Sequence, residues 1–324
     1  LRPETEHEMD LVLEVRARQG HQLTVAFARS PVRHAIFPIA VVPFMQWQNA
    51  GEVAREVLEA TVRIQPVRGE DVDWSLELAV DQPRHWLADF DRQPQFTMGT
   101  WFADGMRVGE MWGVRVATDV SELNPLHTGS ADAFAVNDEG LLVPVGVGGS
   151  LDDRLWGTVV NIDGQNYPWG LPINSYGLSR LGDRTPDLGL GLASEVRWRE
   201  LRGVIRFSGQ VGGDYYDLAR GRAYYQGTHP DVDQSGRPLE RRKPADYYFA
   251  IPGGSQYMDW FVTDATHLRL RELALSWAPR ASSLSVAVVG RNLPTWFGDS
   301  AAGTPEFGAP RPRSLTLQVG YAFR

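Results

Sequence analysis

The stretch Thr266-His267-Leu268-Arg269-Leu270-Arg271-Glu272-Leu273-Ala274-Leu275-Ser276-Trp277 decides how the rest of the chain is read. Apolar and polar side chains alternate with a period of two, the pattern of a β-strand with one apolar and one polar face. The apolar set sits at 268 and 270 and then at 273, 275 and 277. Arg271-Glu272 is therefore expected to form a β-bulge, where one extra residue shifts the phase. Two arginines fall on the polar face, which must supply water or counter-charge.

The same device recurs along the chain. Met9, Leu11, Leu13 and Val15 alternate with acids and Arg16; Leu23, Val25 and Phe27 follow; then come Leu58, Ala60, Val62 and Ile64, and Trp74, Leu76, Leu78 and Val80. Further on are Leu188, Leu190, Leu192 and Val196; Leu201, Ile205 and Phe207; Leu284, Val286 and Val288; and Leu315, Leu317, Val319, Tyr321 and Phe323. These candidates are longer than the five or six residues usual in soluble sandwiches. Alternating segments of about ten residues suit strands that cross an outer membrane at a tilt. Connection lengths alternate too. Turns near Gly20, Arg68-Gly69-Glu70, Glu200 and Pro279-Arg280-Ala281 are short, while those from 34 to 52, 85 to 185, 212 to 263 and 293 to 311 are long. Short turns on one side and long loops on the other are the asymmetry of outer-membrane barrels, with the long loops extracellular. Within the longest connection, FTMGTWF and MRVGEMWGV are candidates for further strands.

Composition agrees with an all-β chain: 11 Trp, 10 Tyr and 13 Phe stand beside 33 Gly and 21 Pro. A formal charge of -8 argues against a nucleic-acid partner, and Glu240-Arg241-Arg242-Lys243 reads as a solvated loop tip. With no cysteine there is no thiol nucleophile or disulfide framework. The chain starts LRPETEHEMDL, which lacks the regions of a signal peptide, so either it is cytosolic or this is not the true N-terminus. No His-x-x-x-His pair and no Ser/His/Asp set can be assembled, so no enzyme activity and no cofactor are expected. Gly146-Val147-Gly148-Gly149 lacks the helix and lysine of a phosphate loop. Asp231 and Asp233 in HPDVDQSG have the spacing of a calcium loop, but Arg242 stands where the bidentate Glu belongs; an Asx-rich turn is the competing reading.

Aromatic residues of the long loops are the candidate binding groups: Tyr167, Trp169, Tyr215, Tyr216, Tyr224, Tyr225, Tyr247 and Tyr248. A sugar ring could stack on any of them; packing of loop on loop, or an interfacial girdle, uses the same residues. Trp74, Trp198 and Trp277, near strand ends, suit a girdle.

Several segments resemble the C-terminal part of a SusC/RagA-type TonB-dependent outer-membrane receptor. These are ETEHEMDLVLEV, NAGEV, DWSLELAV, MRVGEMWGV, LGDRTPDLGLGL at 181–192, FVTDATHLRLRELALSW at 261–277, VVGRNLPTWFGDSAAGTPEF at 288–307 and PRPRSLTLQVGYAF at 310–323. The resemblance implies that residues 1–324 are the C-terminal part of an antiparallel transmembrane β-barrel, about 9 to 11 of about 22 strands. Loops 86–185 and 212–263 would then be extracellular. It implies part of a transporter importing large nutrients, glycan or peptide, across the bacterial outer membrane. Its implied partners are outer-membrane lipids, an N-terminal plug and barrel half not seen in this sequence, a SusD-like lipoprotein lid and the TonB system. The alternative is a secreted soluble β-sandwich that binds carbohydrate; an outer-membrane lipase is a further class, which would need a nucleophile and base near the rim.

Overall fold

The computed structural model describes residues 1–41, 43–97, 100–251, 259–280, 282–297 and 312–321. Parts of the segments quoted at 288–307 and 310–323, residues 252–258 of the second long loop and the terminal Phe323-Arg324 lie outside the described residues. The dominant element is a 12-stranded antiparallel sheet. Its strands are β1 (Thr5–Glu6), β2 (Met9–Arg16), β3 (Gln22–Arg29), β4 (Val32–Arg33), β5 (Glu52–Arg68) and β6 (Val72–Asp89). They continue with β7 (Leu188–Trp198), β8 (Leu201–Val211), β9 (His267–Trp277), β10 (Leu284–Arg291), β11 (Thr295–Phe297) and β12 (Ser314–Tyr321). β1 extends the lane of β2, β4 that of β3, and β11 that of β10, so each of the alternating segments is a strand in one of nine lanes.

The bulge falls where the pattern slips. Arg206 faces Glu272 and Phe207 faces Leu270, which leaves Arg271 as the extra residue. On the other side of β9, the amides of Asn292 and Leu293 donate to the carbonyls of Arg271 and Leu270 at 3.0 Å each. Asn292 takes the left-handed conformation there, φ 51°. Because of the bulge, Arg271 and Glu272 both serve the polar face. Arg271 Nε donates to Ser208 Oγ, and Glu272 is shared by Arg206 (3.3 Å) and Arg291 (3.0 Å). Arg63 with Glu77 and Arg202 with Glu195 continue this set of cross-strand ion pairs. The hydrogen bond from Arg202 holds the Glu195 carboxyl below the usual range. Arg269 is 2% exposed and donates from Nε to Thr295 Oγ1 at 2.9 Å.

The opposite face is apolar from edge to edge. One row reads Val67, Trp74, Val196, Gly203, Leu275, Val288 and Leu317 across successive lanes. Much of it is bare: Leu11, Leu13, Leu58, Leu78, Leu273, Leu275, Leu315 and Leu317 are all exposed.

The barrel expected from the resemblance is corrected by the strand order. β2 pairs only with β3 and β12 only with β10, so among the described residues both edges are open and the sheet is not closed. The topology gives the reason. Nine lanes alternate in direction, so the first and last run the same way and cannot meet as an antiparallel pair, which needs an even number. An open edge leaves a row of backbone donors and acceptors unpaired, which a lipid-spanning wall does not tolerate. Among the described residues no helix is long and apolar enough to cross a membrane.

The connections keep their expected asymmetry, short at 69–71 and 199–200 and long at 90–187 and 212–266. FTMGTWF and MRVGEMWGV add no strand to the main sheet among the described residues, although Arg107 bridges Trp86 of β6, with the Leu87 amide donating to the Met106 carbonyl at 2.8 Å and the Val108 amide to the His85 carbonyl at 3.0 Å. Gln95–Thr97 pairs with Thr100–Phe102, and Glu110–Gly113 pairs with Ser179–Asp183. The buried core lies in the loops. Val114, Val116, Leu141, Tyr224, Tyr247, Tyr248, Ile251 and Phe261 form one cluster that ties both long loops into a lobe. A second cluster, around Phe37, Val53, Leu87 and Phe90, packs where the 36–49 hairpin meets the sheet.

Candidate functional site

Helix α1 (Leu218–Tyr225) starts on Asp217, whose carboxylate accepts from the Arg220 amide at 2.8 Å, and helix α2 (Ala245–Ala250) follows Pro244. Both helices turn tyrosines inward. Tyr224 packs edge-on to Phe261 with ring centroids 5.4 Å apart, and its hydroxyl donates to Asp231. Burial raises the Tyr224 pKa. Tyr247 is 0% exposed; its hydroxyl donates to Glu139 Oε2 at 2.8 Å and accepts from Asn137 Nδ2 at 2.7 Å. Tyr248 accepts from Gln234 Nε2 at 2.9 Å, and burial pushes its pKa up to about 12.

Beside them a buried lysine gathers two carboxylates into a knot. Lys243 Nζ stands 2.5 Å from Asp138 Oδ1, 2.9 Å from Glu139 Oε1 and 4.4 Å from the centre of the Tyr247 ring. Its side chain is 7% exposed, and the two carboxylate contacts are charge contacts without the directed geometry of hydrogen bonds. The knot joins a segment of the first long loop to one of the second.

The expected aromatic residues therefore divide. Trp169, Tyr224, Tyr247 and Tyr248 are buried and build the lobe. Tyr215 and Tyr216 are half-buried in a short strand pairing with Val262–Asp264, and Tyr216 packs edge-on to Phe261. Tyr225 is exposed on α1. Tyr167, half-buried against Phe134, lines an open hollow of about 320 Å³ together with Tyr176, Asn174, Gln165 and Ser175. Burial raises the Tyr167 pKa. No charged residue lines this hollow. Sequence reasoning missed Tyr176 because it stands alone; the signal it left is an aromatic residue in the turn Ser175-Tyr176-Gly177, with 66% of its surface exposed. A second hollow, of about 430 Å³, opens beside the knot over Trp156 and carries both signs of charge from Asp152, Arg154, Glu240 and Arg241. Gly170 is required there: its φ is +73°, and a Cβ would come within 2.8 Å of the Trp156 ring.

At the calcium candidate, Asp233 accepts from the Ser235 amide at 2.9 Å in an Asx turn, while Asp231 is engaged by Tyr224 and His229. Among the described residues no group of three or more His or acidic side chains is arranged to hold a metal. The sequence has no cysteine and so offers no thiol nucleophile.

No family model matches the chain, and no curated protein matches it. Solved structures do. The RagAB peptide importer in its open-open state matches at 14% identity with a TM-score of 0.62, over 98% of this chain and 34% of that one. The same importer in the closed-closed state gives 14% and 0.59, over 98% and 35%. A further structure of the RagAB peptide transporter gives 14% and 0.59, over 96% and 33%. The chain thus spans about a third of those chains. The identification with SusC/RagA-type receptors is corrected accordingly, because no family model supports membership and the sheet is open where a closed barrel was implied. What the comparisons show is a likeness of fold to part of the RagAB chains, at an identity too low to carry more.

Proposed function

We propose that this chain is a non-catalytic carbohydrate-binding protein of a bacterial envelope, held at the outer membrane by the apolar face of its sheet. The transport reading is set aside, because an open sheet encloses no passage. The observation that carries the proposal is the hollow at Tyr167 and Tyr176. Asn174 and Gln165 offer amide donors and acceptors, Ser175 a hydroxyl, and the tyrosines apolar ring faces. An uncharged lining of this kind matches a neutral sugar, which presents hydroxyls at its rim and C–H groups on its faces. Tyr225, exposed on α1, is a second stacking surface.

The membrane part rests on the bare apolar face. An exposed apolar area running from lane to lane exceeds what soluble monomers tolerate and marks a contact surface; a lipid surface satisfies it when the face rests on the bilayer and the open edges stay in water rather than spanning it. The structures with like folds are named as a peptide importer and transporter, which fits an envelope setting. A SusD-like lid and the TonB system came only from the corrected resemblance, and no described residue argues for either.

Calorimetric titration of the purified chain against neutral oligosaccharides tests the binding claim. Tyr176→Ala should weaken binding about tenfold, roughly 1.4 kcal/mol. Absence of heat with every neutral glycan would remove the proposal, and binding indifferent to Tyr176 and Tyr167 would move it elsewhere.

A further inference from the structure

At the short-turn end, the last apolar row of the sheet ends in a cavity of about 520 Å³. Trp198 faces Leu201, and Leu201 faces Trp277, so the two indoles stand on one face, two lanes apart, with Leu201 between them. Two lanes are about 10 Å, the width of a lipid headgroup. The indoles are 55% and 42% exposed. One row further in, the central lane carries Gly203 between Val196 and Leu275, and a Cβ there would meet nothing nearer than the Val196 carbonyl at 4.0 Å. The slot between the tryptophans therefore runs into a notch in the apolar face.

Charged groups from three turns close the outer end. Arg199 is left-handed, φ 53°; its amide donates a hydrogen bond to the Asp71 carbonyl at 2.7 Å, and its guanidinium lies 3.5 Å from the Asp71 carboxylate. Glu200 Oε1 accepts from the Arg280 amide at 3.1 Å, and Arg280 lines the cavity with no ion pair of its own among the described residues. Two cations and two carboxylates thus sit just beyond two interfacial tryptophans and an apolar notch.

The geometry points to a binding site for a zwitterionic phospholipid, phosphatidylethanolamine, in this slot. Arg280 and Arg199 receive the phosphate, a pairing that guanidinium geometry favours. Glu200 and Asp71 receive the ammonium, the tryptophans flank the glycerol, and an acyl chain enters the notch over Gly203. The balanced charge disfavours a polyanion, and the carboxylates need N–H donors that a choline headgroup lacks. The inference rests on the membrane contact proposed above and adds a headgroup to it.

The test uses the full chain with phosphatidylcholine vesicles containing a small fraction of brominated phosphatidylethanolamine, or the same fraction of brominated phosphatidylcholine. Tryptophan quenching should be about tenfold more effective with the ethanolamine lipid, a preference expected from hydrogen bonds to charged groups. Arg280→Gln and Arg199→Gln should each erase most of that preference while the chain still floats with the vesicles; Trp198→Phe and Trp277→Phe together should remove the part of the quenching that distinguishes the two lipids, leaving only what Trp74 and Trp296 on the same face contribute alike for both. Equal quenching by the two lipids, or a preference unchanged in Arg280→Gln, overturns the site and leaves the membrane reading standing. Flotation with no vesicle of any composition overturns both. Competition by soluble glycerophosphoethanolamine as strong as that of the intact lipid would also overturn it, since the ligand would then be a free phosphoester.

Discussion

Replacing Lys243 by Met removes a cation that faces both Asp138 and Glu139 inside the lobe, and the consequence can be worked out from burial. Breaking a fully buried ion pair costs about 3 to 5 kcal/mol, because the stranded charge stays dry. Here the two carboxylates differ. Asp138 has 58% of its side chain exposed and regains water, so its share is small. Glu139 has 21% exposed and, among the described residues, keeps the Tyr247 hydroxyl at 2.8 Å and the distant Arg237 at 3.8 Å. Loss of the ammonium from the Tyr247 ring adds a fraction, and the apolar methionine returns some. The net is about 2 to 3 kcal/mol. Hydrogen exchange of the peptide covering α2 reads this directly, since local opening frees its amides; exchange should quicken about 30- to 150-fold. In an Glu139→Gln background no charge is stranded, and Lys243→Met should then cost about 1 kcal/mol or less. Exchange at α2 changed by less than threefold, or an equal cost in both backgrounds, would refute the role assigned to the knot.

Three further outcomes follow from other parts of the molecule. Tyr247 and Tyr248 hold their protons more tightly when folded, Tyr248 up to about 12, so above the ordinary 10 the unfolded chain binds fewer protons than the folded one and lobe stability should fall as pH rises; tyrosinate absorbance from these two rings appearing near pH 10 without loss of structure would contradict it. Gly170→Ala places a side chain on a left-handed residue and against Trp156, which should cost about 1 to 2 kcal/mol and alter the near-ultraviolet dichroism of the edge-on Trp156 and Trp169 pair; an unchanged spectrum would argue against the packing. On the bare face, Leu317→Asp should lower partition into vesicles about tenfold or more, whereas Gln318→Asp, one residue away on the polar face, should not; equal effects would deny that the two faces differ in environment.

The alternation of THLRLRELALSW and the eight segments like it was enough to place every long strand, the bulge at Arg271 and the sides on which short and long connections fall. Those features are local: the period of two is dictated by backbone geometry, and a phase slip in the apolar set has few causes other than an inserted residue. Closure is not local. Whether β2 and β12 find partners depends on the number and direction of all lanes together, and a strand of alternating residues looks the same at an edge as in the middle. The loop aromatics show the same division. Sequence marked Tyr224, Tyr247 and Tyr248 as special, but only the fold brings Phe261 and Val114 over them and makes them core, because a tyrosine ring serves a sugar or a neighbouring side chain with the same face. Tyr176 was missed for a local reason, since a lone aromatic residue shows its hollow only once the chain from Gln165 turns back on itself. The slot between Trp198 and Trp277 was illegible for the complementary reason: it is assembled from residues far apart in the chain, brought together by turns and by strand register, and no single stretch of sequence contains it.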